Sequence, residues 1–153
     1  MTYLKKSEKI KKMNQRPSWD YVWMKFAHLI AKRSHDHKHK VGAIIVTDDN
    51  TKVLAVGYNG DQKGGANTRE SMETGGSGFI HAEINALIKC DYNNHKKKIM
   101  YVTLSPCKMC AKSIINANIE EVVYSKLYKE SDGLMLLKSH GLKIRQFISE
   151  GDI

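Results

Sequence analysis

Two of the chain's three cysteines sit three residues apart in TLSPCKMCAK, residues 103–112. If a helix opens behind Pro106, Cys107 and Cys110 share one face of its first turn, since positions i and i+3 are neighbours on a helix surface. The positive end of the helix favours thiolate over thiol. Two thiolates on one face make half of a tetrahedral zinc site. His81, at the start of HAEINALIKC, offers a third ligand, and no third cysteine or second histidine lies nearby to close a four-ligand cage. Three protein ligands with one open position is the arrangement of catalytic zinc. Glu83 follows His81 by two residues and could face the open position without occupying it. Zinc in such a site lowers the pKa of water to roughly 7, so the chemistry on offer is hydrolysis with Glu83 as proton carrier.

Taken alone, CxxC would serve equally as a structural zinc half-site or a redox pair. The joint pattern argues otherwise: H-A-E followed by P-C-K-M-C has the H-x-E…P-C-x-x-C form of zinc-dependent nucleobase deaminases, whose glutamate is an acid/base and not a ligand. Three other features have ordinary readings. His35, His37 and His39 alternate with charged residues in HDHKHK and suit a solvated loop better than a metal tract. Cys90 reads as a small buried apolar residue. Asn59, in GYNG, is on local grounds a turn residue or a functional one.

Which elements position these residues follows from periodicity. Ser18 can cap a helix over 19–33, with Val22, Phe26 and Ile30, and Trp23 beside them, as its apolar stripe. KVGAIIV reads as a buried strand, 48–50 as a turn, and VLAVGY (53–58) as its hairpin partner. Residues 59–78 are polar and glycine-rich, a loop long enough to be functional or disordered. Beyond it come a helix over 81–90 with Ile84, Leu87 and Ile88 on one face, a strand over 99–104, and a helix over 107–117. A strand in EEVVYS, a helix over 132–139 ended by Gly141, and a strand in LKIRQFI complete the order ββ-αβαβαβ. That order predicts a sheet covered by helices on both faces, mostly parallel after the opening hairpin.

The bulk properties fit one compact domain over 16–153, preceded by a basic tail over 1–15. The chain has 153 residues, of which 41% are hydrophobic, and a net charge of +9. Much of the excess lies in Lys5, Lys6, Lys9, Lys11, Lys12 and Arg16, and in the run Lys96, Lys97 and Lys98. Such runs are read as solvated faces, with nucleic acid not the expected partner, although a positive field also attracts a small phosphorylated substrate. No apolar run approaches the roughly 20 residues that span a bilayer, and MTYLKKSEKIKK has no apolar core of a secretory signal. Three cysteines cannot build a disulfide framework, so the expected compartment is the reducing cytoplasm.

RPSWDYVWMKFAHLIAKRS, KVGAIIV, GYNG, HAEINAL, MYVTLSPCKMCAKSII and GLKIRQF, in this order, resemble the deoxycytidylate deaminase family of the zinc-dependent cytidine deaminase superfamily. The likeness runs from Arg16 onward. HAE with PCxxC marks the superfamily, and RPSWD with GYNG marks the family. The resemblance implies a three-layer α/β/α fold around a five-stranded mixed sheet, and hydrolysis of dCMP to dUMP, the precursor of thymidylate. It implies zinc on His81, Cys107 and Cys110, proton transfer by Glu83, and the Ala82 N–H on the cytosine O2. The Ser105 carbonyl would receive the amino group, Asn59 would hold the deoxynucleotide, and Tyr128 would close over it. Arg33, Ser34 and Lys40 are its phosphate candidates. It further implies a homohexamer activated by dCTP and inhibited by dTTP.

The chain departs from the family in having Gln62 where a proline usually follows GYNGx, and its 59–78 loop lacks the cysteines and histidines of a second zinc site. One zinc ion per chain is therefore expected. Lys63, Gly64, Asn67, Arg69 and Glu70 are the candidates for an effector site in this loop, where a triphosphate could bring Mg2+ held with the help of Glu70 or Glu73. The rival readings are a tRNA adenosine deaminase, which shares HAE and PCxxC; a free-nucleoside cytidine deaminase, which typically has cysteine at the position of His81; and a zinc-stabilised binding module without turnover, which has no use for Glu83.

Overall fold

The computed structural model describes residues 7, 15–129 and 131–149. Most of the basic tail expected over 1–15, with its lysines, lies outside the described residues. The first helix, α1 (Trp19–Ala31), begins where Ser18 accepts the Tyr21 N–H at 3.2 Å. It ends two residues before the expected 33, because the N–H groups of Lys32, Arg33 and Ser34 turn to carbonyls three residues back and tighten the last turn. Its buried line is Met24, Ala27 and Ala31, with Trp23, Phe26 and Ile30 packed alongside, so the stripe is centred one residue later than expected. Gly42 explains the shift: a Cβ there would lie 2.1 Å from the Ala27 carbonyl oxygen, and this close approach admits only alanine on the helix side.

Strands β1 (Gly42–Thr47) and β2 (Val53–Tyr58) form the expected hairpin, with Asn50 in the left-handed region at φ 60. Trp23 Nε1 donates to Asn50 Oδ1 at 2.8 Å and ties the turn to α1. There follow α2 (Ala82–Lys89), β3 (Lys98–Leu104), α3 (Lys108–Asn116), β4 (Glu121–Lys126), α4 (Asp132–Ser139) and β5 (Lys143–Gln146). The sheet order is β2-β1-β3-β4-β5. Strand β1 is antiparallel to both neighbours, and β3, β4 and β5 are mutually parallel. Helix α1 covers one face through Ile44, Val46, Tyr101 and Val123. Helices α2, α3 and α4 cover the other through Ala43, Ile45, Met100 and Val102. This is the expected three-layer α/β fold on a five-stranded mixed sheet.

Three details differ from expectation. Helix α3 starts at Lys108, with Cys107 as its N-cap and Pro106 one residue outside, so the proline directs the entering chain and does not occupy the first helical position. The buried face of α2 is Ala82, Glu83, Ala86 and Leu87, while Ile88 is exposed. The cause is again a glycine: a Cβ on Gly57 would meet the Ala82 oxygen at 2.3 Å and the Ala86 nitrogen at 2.4 Å, so α2 lies directly on β2. The last strand is four residues long, not the seven of LKIRQFI.

The lysine run at 96–98 is bound locally. Lys96 pairs with Asp49, Lys97 with Glu120 at 3.2 Å, and Lys98 donates to the Asn94 carbonyl at 2.8 Å. His35, His37 and His39 are exposed, and Cys90 is buried in the core beside α2. Among the described residues no helix is long and apolar enough to cross a membrane.

Candidate active site

Because β1 runs against both neighbours, its start lies beside the ends of β2 and β3. One edge of the sheet therefore gathers Val41 ahead of β1, Asn59 after β2, Ser105 after β3 and Tyr128 after β4. All four border a single pocket. Helix α2 brings His81, Ala82 and Glu83 to it, and the turn into α3 brings Cys107.

His81 is the N-cap of α2 and Cys107 that of α3, so both sit at positive helix ends. The Cys107 sulfur accepts the Cys110 N–H at 3.5 Å. The His81 Nδ1 lies 3.5 Å from the Cys107 sulfur and 3.3 Å from the Cys110 sulfur, and the three ligand atoms all fall within 4.8 Å of one another. Sulfur and nitrogen ligands bound at about 2.0–2.3 Å to one tetrahedral centre stand about 3.6 Å apart, so the donor set fits zinc in identity and spacing. Among the described residues this is the one group of three such side chains close enough to hold a metal ion. The hydrogen bond from Cys110 and the proximity of His81 hold the Cys107 thiol down at about 3. The same contact and burial push the Cys110 thiol up. His81 is raised by its hydrogen bond to Cys107 and by the charge of Glu83, against burial.

Glu83 lies in the first turn of α2, 4% exposed. Burial pushes its carboxyl up to about 7, against the opposing pull of a backbone hydrogen bond and of His81. Asn59 is buried with its amide largely engaged: Oδ1 accepts the Val41 N–H at 2.9 Å, and Nδ2 donates to the His39 carbonyl at 2.7 Å and to Asp36 at 3.4 Å. Ser105 Oγ accepts the Tyr128 N–H at 2.7 Å and so holds the β4 loop against the end of β3.

The three phosphate candidates stand elsewhere. Arg33 and Lys40 are exposed and do not line the pocket. Ser34 is buried, donating to the Asn59 carbonyl at 2.8 Å and accepting the Asp36 N–H. The glycine-rich loop is folded on itself: Gly60 and Ile80 pair across its ends, and Asn67 and Glu70 bond to Asp61 and Ser77. Its five effector candidates do not form one cluster. Asn67, Arg69 and Glu70 line an outer groove with His35 and His37, whereas Lys63 and Gly64 do not. Arg69 also walls the main pocket, where it meets Asp36 at 2.5 Å. Asp36, His39 and Ser77 line this pocket as well and were not expected from the sequence. Their only sequence signal is position: Asp36 and His39 lie in HDHKHK, just ahead of β1 at the site edge, and Ser77 lies four residues before His81.

A family model described as the cytidine and deoxycytidylate deaminase zinc-binding region matches residues 17–126. The deoxycytidylate deaminase of Homo sapiens is 35% identical over 151 residues, covering 90% of this chain and 84% of the human one. That of Saccharomyces cerevisiae is 35% identical over 144 residues, 86% of this chain and 46% of the yeast one. The chain thus spans about half the length of its relatives from Saccharomyces cerevisiae and Schizosaccharomyces pombe. The crystal structure of dCMP deaminase from the cyanophage S-TIM5, in complex with dCMP and dUMP, aligns with a TM-score of 0.74 at 30% identity, over 88% of this chain and 100% of that one. The three candidate ligands His81, Cys107 and Cys110, and Glu83 beside them, fall within the matched span, and the chain belongs to the cytidine and deoxycytidylate deaminase zinc-binding family.

Proposed function

We propose that this chain hydrolyses dCMP to dUMP and ammonia. The observation that carries this reading is the convergence of His81, Cys107 and Cys110 beside a buried carboxylate, Glu83, in one pocket. Zinc held by the three ligands would supply Lewis acidity there. Glu83 takes a proton from the attacking water as its oxygen bonds to C4 of the cytosine ring, and delivers that proton to N3. It then carries the water's second proton to the exocyclic amine, which leaves as ammonia as the carbonyl forms. Water enters and ammonia leaves, so the atoms balance.

The Ala82 N–H, one of the unpaired donors of the first turn of α2, suits the cytosine O2. Ser105 and Tyr128 both line the pocket, so the Ser105 carbonyl would receive the amine and the Tyr128 ring would cover the base. Asn59 Oδ1 keeps one lone pair beyond its bond to Val41, enough to accept from the sugar hydroxyl. The choice of dCMP draws support from the relatives named deoxycytidylate deaminase and from the cyanophage enzyme's complex with dCMP and dUMP. Incubation of the zinc-loaded protein with dCMP, deoxycytidine and a tRNA anticodon stem tests the reading. Deamination of dCMP is expected, and turnover of the stem alone would replace the proposal with the tRNA reading.

The proposal extends to a homohexamer regulated by dCTP and dTTP through the 59–78 loop, with Mg2+ carried by the triphosphate. The regulatory part draws support from Arg69, which walls both the pocket and the outer groove, so a ligand in the groove touches a residue of the pocket. Coupling of this kind typically amounts to about 1–3 kcal/mol. Light-scattering mass, and dCMP saturation curves with and without dTTP, check both parts. A monomer with identical curves would remove this extension and leave the deaminase chemistry standing.

A further inference from the structure

We infer that Arg69 reads the 5′-phosphate of the substrate and sets the preference for nucleotide over nucleoside. The inference rests on the deaminase reading above and adds a residue to it. Among the described residues lining the pocket, Arg69 is the one lysine or arginine. The basic residues of 32–40 that the sequence offered for this task, Arg33 and Lys40, lie outside the pocket. A dianionic group bound in this pocket therefore meets one fixed positive charge, and it comes from the glycine-rich loop.

The guanidinium is held ready. Its side chain is 6% exposed, Nη1 donates to Asp36 at 2.5 Å, and Nε donates to the Ser71 carbonyl at 3.2 Å. Asp36 is itself fixed by the Lys38 N–H at 2.8 Å and by the Asn59 amide, so the orientation of Arg69 is tied to the wall of the pocket. Rotamer freedom lost on folding is not lost again on binding. A guanidinium has five N–H donors in a planar fork. Two groups, Nη1 and Nε, are engaged, and among the described residues no acceptor meets Nη2. Among the described residues no buried side-chain nitrogen lacks a partner, so Nη2 stays accessible, and phosphate oxygens match the open side of the fork and its charge. Asp36 directs its own charge to Arg69 and the Lys38 N–H, which limits its repulsion of an incoming anion. A purely mechanical role, a strut joining the loop to the pocket wall, is the competing account.

The test uses the zinc-loaded protein and measures, by calorimetry, the affinities for dUMP and for deoxyuridine, which differ only in the phosphate. In Arg69→Gln the dUMP-to-deoxyuridine affinity ratio is expected to fall about 100-fold, the scale of losing charge-assisted hydrogen bonds. Arg69→Lys, which keeps the charge and loses the fork, gives an intermediate ratio and carries the test if the glutamine variant does not fold. Asp36→Asn weakens the same ion pair and loosens the guanidinium but keeps the cation, so the ratio falls far less than in Arg69→Gln. A ratio unchanged in both Arg69 variants, or one that collapses equally in Asp36→Asn, overturns the assignment and leaves Arg69 a strut. Turnover is measured separately on dCMP. A parent protein that binds dUMP but does not deaminate dCMP refutes the reaction, while the binding ratio still decides the role of Arg69.

Discussion

Glu83 and its neighbours on the metal-ligand turn form a site whose parts fail in different ways. The Glu83 carboxylate is buried beside the ligands without being one of them, so Glu83→Gln should leave the zinc content near one per chain. An amide cannot relay protons, and kcat should fall by about 100- to 10,000-fold. Metal analysis together with steady-state rates on dCMP checks this, and an active glutamine variant would end the proposed mechanism. Cys107→Ala removes both a ligand and the N-cap of α3, so zinc and activity should be lost together, with a lower melting temperature. At this scale the sequence was legible where the chemistry is local. HAE and PCKMC each place their groups within a single turn, and folding only has to bring the two turns together. The Asp36–Arg69 pair was not legible, because its members are 33 positions apart and meet only through the β1–β2 hairpin and the fold of the loop after it. Composition likewise reported the charge of the 32–40 segment but not its direction, and Arg33 and Lys40 turn to solvent.

Helices α2 and α3 carry the site, and glycines set how closely they approach their supports. Alternation and helical spacing made every described element visible, with boundaries off by a few residues, since periodicity reports a buried face and not the last hydrogen bond. Close contacts leave no such pattern. Gly57 brings β2 against Ala82 and Ala86, and the Asn85 amide ties α2 to the Tyr58 carbonyl at 2.9 Å. A methyl group at 57 must push α2 outward, and His81 and Glu83 move with it. Gly57→Ala should therefore destabilise by about 1–3 kcal/mol, the usual cost of overpacking, and reduce kcat disproportionately. Thermal melts and rates on dCMP check the pair. Gly133 is the counterpart on the other ligand turn: a Cβ there would lie 2.0 Å from the Pro106 oxygen. Gly133→Ala should displace Cys107 and weaken zinc binding, measured by competition with a chromophoric chelator. Unchanged zinc affinity in a folded variant would count against α4 as the support of that turn.

Across the whole molecule, α1 joins the sheet from its centre to its edge through one charged group. Asp20, in the first turn of α1, accepts from Arg145 on β5 at 2.5 and 3.0 Å and from the Tyr101 hydroxyl on β3 at 2.7 Å. Arg145 also donates to Glu121 on β4 at 2.5 Å. The RPSWD motif that pointed to the family thus acts structurally here: Ser18 caps α1, Trp19 stacks on Trp23 at 5.1 Å, and Asp20 anchors the helix away from the metal ligands. The hydrogen bonds from Arg145 hold the Asp20 carboxyl below its usual range, with burial opposing and Tyr101 adding to the effect. A carboxyl with a lowered folded pKa contributes stability that is fully present above its unfolded value, about 3.9, and is lost as pH falls through the folded value. Asp20→Asn keeps the shape but removes the charge, and near neutrality it should cost about 1–2 kcal/mol, since Arg145 retains Glu121 as a partner. The difference in melting temperature between parent and variant should hold steady from neutrality to about pH 5 and then close below about pH 4 as the parent carboxylate takes up its proton. A difference that stays constant through the acid range would mean that shape, and not charge, is what Asp20 contributes to holding α1 on the sheet.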